Sequence, residues 1–155
     1  MNNPTFSIII PFKSWSEELD ECLTHIQKLS YSIFEVILLP DEEVGSPNLG
    51  FSIDIIPTGP ISPAQKRDIG AKKAGGLYLA FIDDDAYPQS DWLDVANQIL
   101  ISHSDVGAIG GPGITPKNDP FWARVSGAFF LSIASGGFPE RYVSCPPSRS
   151  VDDWP

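Results

Sequence analysis

Two kinds of apolar run alternate along this chain. Short, nearly continuous apolar runs have the look of strands buried on both faces. Longer stretches place apolar residues every three or four positions, as one face of a helix does. The first run, Phe-Ser-Ile-Ile-Ile at residues 6–10, stops at Pro11 and predicts a central parallel strand. Leu19, Cys22, Leu23, Ile26 and Leu29 then share one helical face. Ser14 stands three residues before Glu17, a capping-box spacing, so a helix is expected to run to about Ser30. Glu17 and Glu18 suit its positive end and Lys28 its negative end, with His25 on its surface. A second run at 34–39 is closed by Pro40-Asp41. Strand, helix and strand of these lengths make a βαβ unit with a right-handed crossover.

Residues 42–50 read as a loop, 52–56 as a third short strand and 57–60 as a turn. Ser62-Pro63 starts a helix over 64–74 that ends at Gly75-Gly76. Its residues are small (Ala64, Gly70, Ala71, Ala74) or basic (Lys66, Arg67, Lys72, Lys73), and small residues let a helix lie close to its neighbour. The run 77–82 predicts another strand, ending in Asp83-Asp84-Asp85. Ser90 is expected to cap a helix over 91–102 that buries Trp92, Val95, Ala96, Ile99 and Leu100. A strand of small side chains is expected at 106–110, followed by the loop Gly110-Gly111-Pro112-Gly113. Asp119-Pro120 caps an apolar helix from Phe121 to about Ser135. Its residues Phe121, Trp122, Val125, Ala128, Phe129 and Ile133 need a partner surface. The last stretch, 140–155, is loop-like.

A length of 155 residues suggests one domain, and 42% hydrophobic residues suffice for a core. The net charge of −10 leaves no basic footprint for nucleic acid and disfavours docking on anionic lipid. Cys22 and Cys145 form no CxxC pattern, so zinc is not expected; buried thiols in a reducing compartment are. The start Met1-Asn2-Asn3-Pro4 lacks the basic region of a signal peptide. No apolar run approaches the roughly 18 residues of a membrane span. A cytoplasmic location follows as the expectation, peripheral to the membrane if the full protein is longer.

The chemistry gathers at the three acids. Carboxylates cannot continue into an apolar sheet interior, because burying an unpaired charge is too costly. They must sit at the carboxyl end of their strand, where open α/β sheets bind ligands. Along an extended strand Asp83 and Asp85 point to one side and Asp84 to the other. Such a D-x-D pair can hold a divalent metal and a ribose together. Hard oxygen ligands suit magnesium or manganese, which also bridge diphosphate oxygens. A plain solvated strand-to-helix turn is the competing reading. A calcium loop would need Gly where Pro88 stands, and a haloacid-dehalogenase phosphatase would need Thr or Val where Ala86 and Tyr87 stand. A diphosphate would be repelled by the net field of this chain and would need a cation. Four of the ten basic residues lie on the helix at 64–74, either as a solvated face or with Arg67 or Lys66 reaching a phosphate beside the acids.

The order of these motifs resembles the nucleotide-sugar half of inverting family-two glycosyltransferases. The likeness rests on the Ile-Ile-Pro strand, the strand ending at Asp41, Lys66-Arg67-Asp68-Ile69-Gly70 and Phe81-Ile82-Asp83-Asp84-Asp85. Gly110-Gly111-Pro112-Gly113 and Val151-Asp152-Asp153-Trp154-Pro155 also resemble segments of longer members. The resemblance implies the GT-A fold, a Rossmann-like, mostly parallel sheet flanked by helices. It implies a nucleotide-sugar and metal region at 1–115 and the start of an acceptor-side region, cut short, at 116–155. Pro11, Phe12, Asp41, Arg67, Asp83 and Asp84 would bind the nucleotide sugar, and Asp85 with Asp83 the metal, Mn²⁺ or Mg²⁺. Phe12-Lys13-Ser14 replaces the usual Thr-Tyr-Asn, Pro40-Asp41-Glu42-Glu43 the usual Asp-Asp-Gly-Ser, and Asp68 the usual Asn. The base is thereby left open among uracil, guanine and thymine. The implied reaction moves a sugar from a nucleoside-diphosphate sugar, UDP-linked, to an acceptor hydroxyl with inversion. Members carry the general base further downstream, so Asp152 and Asp153 are weak catalytic candidates here. Two other classes stay open: a non-catalytic nucleotide-sugar module, and an interaction domain. Self-association is expected through the helix at 121–133, and so is nucleotide binding without sugar transfer by this chain alone.

Overall fold

The computed structural model describes residues 4–117, 119–130 and 142. Four strands and four helices follow one another: β1 (Phe6–Pro11), α1 (Glu17–Ile26), β2 (Phe34–Leu39), β3 (Ser52–Ile55), α2 (Pro63–Lys73), β4 (Tyr78–Phe81), α3 (Trp92–Ser102) and α4 (Phe121–Phe130). The chain divides into two compact units, Met1–Ser104 and Asp105–Pro155.

The first unit is an all-parallel sheet in the order β3-β2-β1-β4, an α/β arrangement with helices on both faces. β1 is central and buried throughout. Alternation along it divides the core. Phe6, Ile8 and Ile10 pack with Leu19, Cys22, Leu23 and Ile26 of α1 and with Leu93 of α3. Ile9 turns to the other face with Ile37 and Leu39, where Ile69, Ala71 and Ala74 of the α2 segment cover them. The small residues of α2 serve this close approach. A Cβ on Gly70 would lie 2.7 Å from Cγ2 of Ile9 and 3.0 Å from Cδ1 of Leu39. At the amino edge of the sheet, fully buried Ser7 donates to Glu35 and accepts from the Gly76 amide, while Glu35 also takes the Gly75 amide.

Several local expectations are corrected. The cap of α1 is Ser16, not Ser14: its hydroxyl accepts from the Leu19 amide. α1 ends at Ile26 rather than near Ser30. Asp91, not Ser90, precedes α3 and makes no side-chain cap bond, while the Ser90 carbonyl accepts from the amide and hydroxyl of Ser30. α3 buries Leu93, with Trp92, Ala96 and Leu100 packed at the core edge, whereas Val95 faces out. His25 is half-buried and stacks on Tyr87 at 4.2 Å, not out on the helix surface. Residues 106–110 form no strand. Their glycines and alanine offer little side-chain surface for cross-strand packing, which is what stabilises a sheet.

In the second unit, Thr115 packs against α4 at Gly127, beside a cleft of about 450 Å³ that Arg124 and Tyr142 help to line. Phe121 and Trp122 of α4 are 67% and 77% exposed, and their rings meet each other edge to face at 5.3 Å. Ile133 and the expected end of the helix lie outside the described residues. No helix among the described residues is long and apolar enough to cross a membrane.

Candidate functional site

Successive strands run outward from β1 through β2 to β3, and β4 then returns to the other side of β1. The order therefore reverses between β1 and β4, and a crevice at the carboxyl ends of such strands is where α/β sheets bind ligands. The sequence-selected residues converge there. Pro11 closes β1 and Phe12 follows it, both buried; Phe12 is a core residue with its ring edge-on to Trp15. Asp41 follows β2 after buried Pro40. Asp83, Asp84 and Asp85 follow β4.

The acids lie just past β4 and close a turn, in which the Ala86 amide donates to the Asp83 carbonyl at 3.2 Å. β4 ends at Phe81, so the acids leave the sheet in a turn rather than on the extended strand end where Asp83 and Asp85 are expected to share a side. Arg67 of α2 forms an ion pair with Asp83. Asp84 lies among negative groups instead. Burial raises its pKa, partly offset by a backbone hydrogen bond, and Asp85, Asp83 and Glu18 push it further up. The same setting acts on Cys22, whose Sγ lies 4.0 Å from the Asp83 carbonyl oxygen. Burial first, then Asp84 and Asp85, push this thiol up to about 12, so it stays neutral at physiological pH.

Crowded carboxylates at a sheet edge fit a cation, which would relieve their mutual repulsion. Among the described residues no three His, Cys, Asp or Glu side chains form a metal-binding group. A hard cation of the magnesium type does not need three, since one or two carboxylates and the phosphates of a substrate commonly hold it. Asp85 is exposed at the tip of the turn.

Lys66 was expected either in solvent or on a phosphate. It is neither: it is 2% exposed, and its ammonium donates to the Phe12 carbonyl, the Leu39 carbonyl and Oδ1 of Asp41. Thr58, in the turn expected at 57–60, donates through both its amide and its hydroxyl to the Pro40 carbonyl, at 2.9 and 3.0 Å. The only sequence signal for Lys66 was a long basic side chain on a helix of small residues. In front of Asp41 opens a cleft of about 270 Å³ lined by residues 13–15 and 41–44. Asp152 and Asp153, and Cys145, lie outside the described residues.

No family model matches the chain. It is 27% identical over 127 residues to the poly(ribitol-phosphate) β-N-acetylglucosaminyltransferase TarS of Staphylococcus aureus, covering 74% of this chain and 22% of that one. It is 30% identical over 126 residues to an uncharacterized glycosyltransferase of Haemophilus influenzae, covering 68% of this chain and 48% of that one. Residues 1–349 of TarS in complex with UDP-GlcNAc superpose with a TM-score of 0.62 at 20% identity, over 75% of this chain and 36% of that chain. The mannosyltransferase PcManGT from Pyrobaculum calidifontis, in complex with GDP-Man and Mn²⁺, superposes with a TM-score of 0.58 at 19% identity, over 76% and 37%. The chain thus spans less than half the length of the curated relatives it matches. Its relatives in sequence are glycosyltransferases, and its all-parallel sheet flanked by helices is the GT-A-like fold of the glycosyltransferases among solved structures.

Proposed function

We propose that this chain is the donor-binding part of a glycosyltransferase that moves a sugar from a nucleoside-diphosphate sugar, UDP-linked, to an acceptor hydroxyl with inversion. The observation that carries the reading is the convergence of the Asp83–Asp85 turn, Arg67 and Asp41 at the switch point of a GT-A-like sheet. The nucleotide-sugar complexes among the structural neighbours support it.

In this reading the loop that follows Pro11, anchored on the core by buried Phe12, forms the floor for the nucleotide. Asp41 meets the base or ribose. Asp83 and Asp84 meet the ribose, and Arg67, held at the acids by Asp83, faces the diphosphate. Asp85 with Asp83 would hold Mn²⁺ or Mg²⁺. Bound there, the cation supplies neutralisation of the charge that builds on the departing diphosphate. Arg67 adds a fixed positive charge to the same end, which an otherwise acidic chain needs. Displacement with inversion asks for a base to take the proton of the acceptor hydroxyl.

Titration calorimetry with UDP and GDP, each with Mn²⁺ or with EDTA, tests this. UDP is expected to bind with Mn²⁺ and to weaken strongly with EDTA. Asp85→Asn keeps shape but removes charge, and it should cost about 1.5–3 kcal/mol of the Mn²⁺-dependent affinity, the scale of a charged contact. Absence of binding by either nucleotide sinks the donor-site reading. Equal affinity with EDTA or in the variant sinks the metal role.

A further inference from the structure

We infer that Lys66 is a positioning residue: it sets the Asp41 carboxylate at the wall of the donor cleft without touching the ligand. The inference rests on the nucleotide reading of that cleft. Lys66 is a buried cation on a helix whose other basic residues are not buried. An ammonium has three N–H donors. All three are used: the Phe12 carbonyl at 2.5 Å, the Leu39 carbonyl at 3.0 Å and Oδ1 of Asp41 at 2.5 Å. These acceptors come from the segments that leave β1 and β2, so one side chain of α2 fastens both strand exits. The two partners differ in exposure. The Lys66 side chain is 3% exposed and that of Asp41 21%. Asp41 is therefore bonded from behind through one oxygen while its surface borders the 270 Å³ cleft.

The backbone of Asp41 is held as firmly. Its amide donates to the Lys13 carbonyl at 3.1 Å, and its carbonyl accepts from the Gly59 amide at 3.0 Å. The side-chain direction is what remains to be set, and Lys66 sets it. A carboxylate held in place by a buried charge does not have to be ordered when a ligand arrives, so binding loses less entropy. Arginine cannot take this place. Its planar fork points donors in a plane, whereas these three acceptors surround a single nitrogen.

A double-mutant cycle on the full-length protein tests the role, with uridine and inorganic pyrophosphate as separate probes beside UDP. Asp41→Asn and Lys66→Met are each expected to weaken uridine binding by roughly tenfold to a hundredfold, the range of a charged hydrogen bond. Pyrophosphate binding should change less than threefold in either, since the diphosphate end is served by other residues. Combined, the two changes should lose no more than about threefold beyond the worse single variant, because both remove one interaction. A purely structural lysine predicts the opposite: additive losses, or equal losses for uridine and pyrophosphate, and either result overturns the inference. If Lys66→Met does not fold by circular dichroism, Lys66→Arg enters the same cycle and is expected not to restore uridine affinity. Failure of the unaltered protein to bind UDP at all would instead sink the donor-site reading, so the two failures are told apart.

Discussion

Asp84 is the residue whose surroundings most clearly oppose its charge. Burial and three neighbouring carboxylates favour its neutral form in the fold. A raised folded pKa means a contribution that is fully present below the unfolded value of about 3.8 and is lost as pH rises through the folded value. At neutral pH the ionised group is therefore a net cost, screened because the side chain is only half-buried. Asp84→Asn should raise the Tm at pH 7 by about 1–3 °C, a fraction of a kcal/mol for a chain of this size. The gain should shrink towards zero below pH 3.8, where both side chains are neutral. Thermal denaturation followed by circular dichroism at the two pH values checks this, and a lower Tm at pH 7 would show that Asp84 is favourably partnered. Arg67 is not that partner, because it pairs with Asp83.

α2 shows how an element can be shaped for two demands. Its capping box, with Ser62 and Gln65 each satisfying the other's backbone, fixes where the helix starts. That start sets which turn carries Lys66 inward and Arg67 towards the acids. Its face of small residues then lets it sit against Ile9 and Leu39. Gly70→Ala isolates the second demand. Helix propensity alone would reward alanine by about 1 kcal/mol. The new methyl, however, would meet a branch methyl of Ile9 at 2.7 Å, and Ile9 is itself fully buried. Overpacking of this kind costs about 1–3 kcal/mol, so packing should win and urea denaturation should show a net loss of stability. A variant more stable than the parent would mean that α2 can shift outward at no cost. Because α2 carries Lys66, such a shift would also appear as weaker uridine binding.

For the molecule as a whole, the charge balance is the dominant field. Twenty acidic residues stand against ten basic ones, a net charge of −10. Self-repulsion of this kind opposes the compact state and is screened by salt, since the Debye length falls from about 30 Å at 0.01 M to about 8 Å at 0.15 M. The Tm should therefore rise by a few degrees, on the order of 1 kcal/mol, across that range of NaCl. Differential scanning fluorimetry at fixed pH measures it. A falling Tm would mean that the Lys66–Asp41 and Arg67–Asp83 pairs outweigh the general repulsion. The same field would turn away a diphosphate, so a cation and Arg67 are the features that would make the crevice hospitable to a nucleotide sugar.

Periodicity alone specified the order of strands and helices, because parallel strands buried on both faces and amphipathic helices leave distinct patterns of apolar residues. The acids after β4 and the proline that closes β1 were equally legible, since neither charge nor a missing amide lets a central strand run on. Segments without such a pattern misled, as 106–110 did, where Val106 and Ile109 marked a strand but two glycines and an alanine leave too little side chain to hold one in a sheet. Caps shifted too: Ser14 and Ser16 are both chemically fit, and it is Ser16 whose hydroxyl accepts the Leu19 amide. The roles of individual charges were invisible along the chain. Lys66 and Arg67 are adjacent and similar in sequence, yet one ends buried among two carbonyls and Asp41 while the other reaches Asp83 at the surface. Neighbours on a helix point about 100° apart, and only the packing of α2 on β1 and β2 determines which direction is interior.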